Sequence, residues 1–534
     1  MRFVRGIPLA LALLIAASSL RAEDEVKRFE VFEASFEAKA GQENPYTEIS
    51  AEAQFTRPDG SVWTVPLFWN GDRSWKVRVS PDVEGPWTFV VRSAEPSLNG
   101  QSGGFVCLRS SSRGGIRPMT GRPYHFQYQD GTPMWWFGDT AWRAFSADMS
   151  EHLDRTSVQR YVEVRARQGF NYIHVDVTGT GGVAAGENEE SPMFFDLPGE
   201  KLNAYYFREV DARLRFMNAR GITVGLVLAW GRGYPSWRTF ASDEARFRYT
   251  RYIAARYAAF NVIFIVAGEH GYMLDRVALW DELGRLLART DPHERMIGIH
   301  AGPGATDSSE AFADADWCSF GDYMQKYLAP ANEEATDRNR DELRAAFLAT
   351  RSHGKPIVHA EYAYFQRDRD GDGRVDKQHS HTRTSFRRIS WALAMTGGYF
   401  VTGFGTTYYG GWRDPHRFDV DHPAYDEAEE DLIRIKNLFT SLKWWELEVQ
   451  DRLLSGPPGG YRYCLADPGG VYVVYTSGVT SSRIDLEPGS YSLRRYDTRT
   501  GEVSDIGTFT GAKSIQLDAP DAQDWVFLME RREK

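Results

Sequence analysis

"SDEARFRYTRYIAARYAAFNVIFIVAGEHG", Ser242 to Gly271, changes its periodicity half-way along. Ser242 is a capping residue, and Asp243 and Glu244 suit the positive end of a helix. Tyr249, Tyr252, Ile253, Tyr257 and Phe260 then recur at helical spacing, which predicts a helix from Ser242 to about Phe260. From Val262 the chain becomes a compact apolar run that ends in a carboxylate, Glu269. A helix that feeds a buried strand is the repeating unit of a parallel α/β fold.

Working outward, the same unit recurs. Eight apolar runs alternate with helix-length amphipathic segments: "PMWWFGDTAW", "FNYIHVDVTG", "ITVGLVLAWG", "NVIFIVAGEHG", "RMIGIHAGP", "DWCSFGDYM", "KPIVHAEYAY" and "GGYFVTGFGTTYYG". Eight strands with crossover helices indicate a (β/α)8 TIM barrel, here residues 113–443, although the link between the fifth and sixth runs looks short for a full helix. An open doubly wound sheet is the alternative, but no Gly-rich phosphate-binding turn follows the first run.

On both sides of the barrel the period falls to two. "KRFEVFEASFEA" and "SWKVRVSPDVEGPWTFVVRS", broken by turns such as "RPDG" and "NGD", predict a β-sandwich over residues 23–112. "YRYCLADPGGVYVVYTSG", "YSLRRYDTRTGEVSD" and "DWVFLME" predict a second over 444–534. The first 22 residues, with Arg2 and Arg5 before an apolar run and small residues up to Ala22, read as a secretory signal peptide. The apolar run is well short of the roughly 20 residues a membrane span requires.

The protein is therefore expected to be secreted or periplasmic. Cleavage would remove Arg2, Arg5 and Arg21 and take the formal charge from −10 to −13, which disfavours nucleic acid and anionic membrane as partners. Three scattered cysteines, Cys107, Cys318 and Cys464, are too few for a disulfide framework. Sixteen tryptophans, by contrast, offer faces on which the C–H side of a sugar ring can stack, beyond those that fill cores.

In a barrel of this kind the chemistry sits at the carboxyl ends of the strands. Those ends carry Asp139, Asp176, Trp230, Glu269, His300, Asp322, Glu361 and Tyr408. By alternation, Ile263, Ile265, Ala267 and Glu269 share one face of the fourth strand, and Ile357, His359 and Glu361 one face of the seventh. Two carboxylates then meet at the barrel mouth, the arrangement needed to cleave a glycosidic bond: one donates a proton to the leaving oxygen, the other attacks carbon or activates water. Asp139, Asp176 and Asp322 are candidate acceptors or lining, Trp142, Trp230 and Tyr364 candidate stacking platforms, His300 and His359 candidate orienters of carboxylate or substrate, and Gln325 and Tyr408 further lining. No cofactor is required for this chemistry, and the partner is a carbohydrate.

The stretches "WWFGDTAW", "QGFNYIHVD", "GITVGLVLAWG", "NVIFIVAGE" and "KPIVHAEYAY" resemble the apiosidase-like glycoside hydrolases, a branch of the retaining (β/α)8 glycosidases. "FWNGDRSWKVRVSPDVEGPWTFVV" resembles the Ig-like β-sandwich of unknown function often placed before that barrel. "YCLADPGGVYVVY" and "RRYDTRTGEVSDIG" resemble the collagen-binding-type β domain often placed after it. The resemblance implies Glu269 as acid/base and Glu361 as nucleophile. One departure is plain: the family usually carries Asp in a "GGD"-like motif where this chain has Glu269 in "AGE". The extra methylene moves the proton donor, so specificity for apiose does not transfer.

Beyond Glu361 the chain reads D-x-D-x-D-G-x-x-D from Asp368 to Asp376, with Asp370 and Asp372 between. Oxygen ligands at positions one, three and five with Gly at six match a calcium loop, although position twelve is His379 rather than the usual bidentate Glu. A structural Ca2+ on Asp368, Asp370, Asp372 and Asp376 is the expectation. Two rival readings are an inactive carbohydrate-binding or adhesive protein, which would lack one of the two Glu, and a metal-dependent barrel hydrolase, which would need a His-x-His that "FGDTAW" does not supply.

Overall fold

The computed structural model describes residues 24–39, 41–146, 154–179, 187–302, 311–325, 333–362, 382–403, 423–511 and 513–532. At its centre is one eight-stranded parallel sheet, and each apolar run supplies a strand. These are β1 (Phe137–Thr140), β2 (Tyr172–Asp176), β3 (Thr223–Val227), β4 (Val262–Ile265), β5 (Ile297–Gly298), β6 (Gly321–Gln325), β7 (Ile357–Tyr362) and β8 (Tyr399–Thr402). The spatial order β5-β4-β3-β2-β1-β8-β7-β6 places β5 and β6 at the two edges. Across that seam the Ser319 amide donates to the Ile297 carbonyl at 2.8 Å and the Ile297 amide to Ser319 Oγ at 3.1 Å, which brings the sheet round on itself.

The helices lie outside: α1 (Arg155–Gln168), α2 (Ala204–Asn218), α3 (Asp243–Tyr257), α4 (Val277–Thr290), α5 (Glu333–Ala349), α6 (Arg383–Ala394) and α7 (Pro423–Thr440). α3 begins where its sequence predicts, because Ser242 Oγ accepts the Ala245 amide at 3.1 Å and so satisfies one of the orphan donors of the first turn. Ile263 and Ile265 of β4 join the buried cluster that holds Trp136, Tyr172 and Phe320, whereas Phe264 and Val266 join the one shared with Tyr249, Ile253 and Tyr257 of α3. Alternate residues of one strand thus fill the barrel and glue it to the helix layer. Below the barrel the strands Ile116–Met119 and Arg122–Tyr128 form an antiparallel pair whose Phe126 ring lies 4.8 Å from Trp136 and 5.3 Å from Tyr399, closing the amino end with aromatic side chains.

Two sheets, one of five strands and one of three, make the amino-terminal sandwich around Phe55, Trp75, Val77, Trp87 and Phe105. A six-stranded and a three-stranded sheet make the carboxyl-terminal one. Each docks through a buried ion pair. Arg78 of the first sandwich donates to Asp211 of α2 at 3.1 and 2.5 Å, and Arg256 of α3 donates to the same carboxylate. Burial opposes that charge, but the two guanidiniums outweigh it and hold the Asp211 carboxyl well below the usual range. At the other seam Asp524 accepts from Arg387 and Arg388 of α6, and Tyr475 stacks on Trp391 with ring centroids 5.8 Å apart. No helix among the described residues is long and apolar enough to cross a membrane.

Candidate active site at the carboxyl ends of the strands

Glu269 follows β4 in a left-handed backbone conformation, φ 43° and ψ 57°, which disfavours any residue with a Cβ and costs on the order of 1 kcal/mol or more. The surroundings enforce it. A Cβ on Gly302 would lie 2.7 Å from the Cα and Cβ of Glu269, and one on Gly268 would collide with the Trp230 ring, so glycine at both positions lets three strand ends converge. The side chain is buried, and the Trp230 indole N–H donates to its Oε2 at 3.1 Å. Trp230, half-buried at the end of β3, thus orients a carboxylate as well as presenting a ring.

Glu361 is buried at the end of β7, its Oε2 3.5 Å from Nε2 of His300. The other nitrogen of His300, Nδ1, faces Oδ2 of Asp322 at 3.2 Å, and Asp322 Oδ1 accepts the Ala301 amide at 3.3 Å. Burial alone would lower the His300 pKa, but the Asp322 and Glu361 carboxylates reverse that and push it up to about 10, so His300 is an imidazolium at neutral pH. Burial raises Asp322, and the imidazolium opposes that rise.

His359 departs from its expected place. The ladder pairs Tyr323 with His359 but Met324 with Glu361, so Ala360 is the extra residue of a β-bulge and the period-two alternation breaks there. Glu361 faces His300, whereas the His359 ring lies against Tyr323 at 5.2 Å and Phe347 of α5 at 6.2 Å, in the helix layer. Burial pushes its pKa down to about 3, which leaves it neutral.

Between the two glutamates sits an aromatic cluster. Trp142 packs edge-on to Trp230 at 5.0 Å and lies 5.5 Å from His300; Trp230 and His300 are 5.7 Å apart. Glu269, Trp230, His300 and Glu361 thus form one chain of contacts. Sequence reasoning overlooked His174, which lies 4.8 Å from Trp142 and 5.5 Å from His300. It shares an inward face with Tyr172 and Asp176, so alternation along "YIHVD" would have found it. Burial and the charge of His300 hold it neutral.

Asp139 turns out differently from its reading as a sugar acceptor. Asp139 is fully buried, and its oxygens accept from Tyr161 Oη at 2.9 Å, Arg165 Nε at 2.6 Å, the Thr140 amide at 2.8 Å and Thr402 Oγ1 at 3.0 Å. Four donors fill the roughly four lone-pair sites of a carboxylate, so Asp139 anchors α1 and β8 to β1. Asp176 Oδ1 accepts the Thr178 amide at 2.9 Å and hydroxyl at 2.8 Å, capping the turn after β2. Tyr364, Tyr408 and the calcium-loop residues Asp368, Asp370, Asp372 and Asp376 lie outside the described residues.

Residues 121–446 match the apiosidase-like catalytic domain, and residues 25–94 match a domain of unknown function, DUF5060. The chain belongs to the apiosidase-like family. It is, accordingly, a glycoside hydrolase. Among solved structures it is similar to a provisionally assigned glycoside hydrolase of Bacteroides vulgatus ATCC 8482, with 18% identity, TM-score 0.76, and 96% of this chain and 100% of that one covered. It is also similar to a glycoside hydrolase family 5 protein of the same organism, at 19% identity and TM-score 0.66 over 79% of this chain and 94% of that one. A third, named simply a glycoside hydrolase, gives 17% identity and TM-score 0.63 over 79% and 98%. At these identities the likeness concerns the fold. No curated protein matches the chain.

Proposed function

We propose that the protein is a secreted, retaining glycosidase acting on a polysaccharide or oligosaccharide, with Glu361 as nucleophile and Glu269 as acid/base. The observation that carries the assignment is the different company the two carboxylates keep. Glu361 stands 3.5 Å from an imidazolium, which favours the anionic form an attacking oxygen needs. Glu269 receives the Trp230 indole N–H at 3.1 Å, which orients its carboxyl.

In the first step Glu361 bonds to the anomeric carbon as the glycosidic C–O bond breaks, and the departing oxygen takes the proton of Glu269. In the second, Glu269 removes a proton from water, whose oxygen displaces Glu361 from the same carbon. His300, held by Asp322, keeps Glu361 aligned through both. Trp142 and Trp230 supply apolar ring surface beside the reacting carbon. Neither step calls on a metal. A calcium ion on the Asp368–Asp376 loop would act only by fixing the chain that follows β7.

Two measurements on purified protein, against a panel of plant and algal polysaccharides, test this reading. Proton NMR of the fresh product reads its anomeric configuration, and inversion rejects the nucleophile. Glu269→Ala should lose far more activity on natural glycosides than on substrates with activated leaving groups. Equal losses reject the acid.

A further inference from the structure

We propose that the seam between the amino-terminal sandwich and α3 carries a second saccharide-binding site, on the outer flank of the barrel and separate from its mouth. A cavity of about 280 Å³ opens there, just below the ~300–1,000 Å³ usual for small-molecule sites and so sized for one sugar ring. Its walls come from both domains: Trp69 and Trp75 from the three-stranded sheet, Tyr46 from the short helix Pro45–Glu48, and Arg248, Arg251 and Tyr252 from α3.

Two neighbouring side chains hold polar atoms that are sealed from the opening and have nothing to bond. The Tyr46 side chain is 6% exposed and that of Trp75 3%, and among the described residues neither the Tyr46 hydroxyl nor the Trp75 indole N–H has a hydrogen-bond partner. Each such buried group costs roughly 1–3 kcal/mol unless something satisfies it. Trp69 is half-buried and its indole N–H is already given to the Asp72 carbonyl at 3.0 Å, so what it offers a ligand is its ring face. Arg248 donates to the Gly199 carbonyl at 3.2 Å and lies 3.8 Å from Glu200, while Arg251 pairs with Glu244 at 3.9 Å. The guanidiniums are therefore charge-compensated, which disfavours an anion, yet each keeps further N–H groups to give.

A neutral sugar ring fits this chemistry. Its C–H face stacks on Trp69, and its hydroxyls accept from the arginines. Such a site would hold a polymeric substrate on the enzyme's flank while the barrel mouth acts on it. The ligand class rests on the glycoside hydrolase assignment, whereas the location rests on the cavity.

The test is affinity electrophoresis of the full chain through gels containing xylan, arabinan, galactan or mannan, with Trp69→Ala and Ser50→Trp compared with wild type. Ser50 is an exposed residue on the cavity rim, so the second change plugs the opening without touching a core. The expected result is retention by at least one polymer, weakened tenfold or more in both variants, with unchanged turnover of a short aryl glycoside. Retention equal to wild type in the Ser50→Trp variant, no retention of wild type by any of the four polymers, or parallel loss of short-substrate turnover would overturn the proposal. Failure of the catalytic assignment reads differently: Glu361→Gln would stay active, with retention unaffected.

Discussion

The barrel holds two buried carboxylate networks, one at the end of β1 and one at the ends of β5 to β7, and they are built to opposite rules. Asp139 is filled by four donors; its partner Arg165 also binds Glu429, which in turn takes Gln168. In the second network the contacts are longer, 3.2 Å from His300 to Asp322 and 3.5 Å to Glu361, and the neighbouring His174 has no hydrogen-bond partner among the described residues at either ring nitrogen. Burial does not separate the two, since Asp139, His300 and Asp322 are all completely enclosed. Contact length does. Short charge-assisted contacts fix the scaffold, and longer ones leave room to exchange partners with a substrate.

The sharpest way to break this comparison is to neutralise one carboxylate in each. Glu361→Gln should reduce kcat/KM at least ~10³-fold, about 4 kcal/mol of transition-state stabilisation, with a melting temperature close to wild type. Asp139→Asn should do the reverse. Arg165, 1% exposed, would be left with a weakened partner in the interior, at a cost of about 3–5 kcal/mol in stability, while turnover per folded molecule stays near wild type. Circular dichroism melts together with rates normalised to the folded fraction decide it. A thermostable but inactive Asp139→Asn would erase the distinction.

How far the chain could be read in advance follows the same division. All eight strands were legible because each is a compact apolar run, and α3 because Ser242 and its aromatic spacing are local features. Asp139 was misread because its lone pairs are filled by Thr402, 263 residues away, and by Arg165 on the next helix, and no local pattern records either partner. His359 was misplaced because a single bulge residue, Ala360, reverses the facing of what precedes it, and nothing in "IVHAEY" distinguishes a bulged strand from a regular one. Glu269 and Glu361 could be placed at the carboxyl end of the barrel because each stands at the end of an apolar run.

Charge on His300 offers a smaller but more diagnostic effect. Its folded pKa of about 10 lies above the ordinary histidine value of 6.5, so its contribution to stability is complete below about 6.5 and is lost as pH rises through about 10. His300→Gln removes the cation but leaves Asp322 and Glu361 facing each other. The stability gap between wild type and variant, measured by urea melts from pH 6 to 11, should be on the order of a few kcal/mol near pH 6.5 and close progressively from there to about pH 10. Because His300 and Asp322 titrate as a pair, the closing should be gradual. A gap independent of pH would mean that His300 only fills space, and the second network would then differ from the first in geometry alone.

The Asp368–Asp376 stretch extends the comparison to carboxylates known from the sequence alone. Asp368, Asp370, Asp372 and Asp376 fall within nine residues, with Arg369 and Arg374 interspersed, so at neutral pH four like charges meet at most two intervening cations. If the calcium-loop spacing is used, a divalent ion supplies the missing charge and stabilises the native state by mass action, about 2.7 kcal/mol at a hundredfold excess over Kd. In a chain of 534 residues that amounts to a few degrees in melting temperature. Melting curves in calcium and in chelator, repeated on Asp370→Ala combined with Asp372→Ala, read it directly. Wild type should shift and the double variant should not. An unchanged wild type would make the loop a solvated acidic turn, whereas an equal shift in both would place the ion elsewhere. Because the loop follows β7, chelation should also lower turnover slightly by loosening the chain beyond Glu361, without altering the pH dependence that His300 imposes.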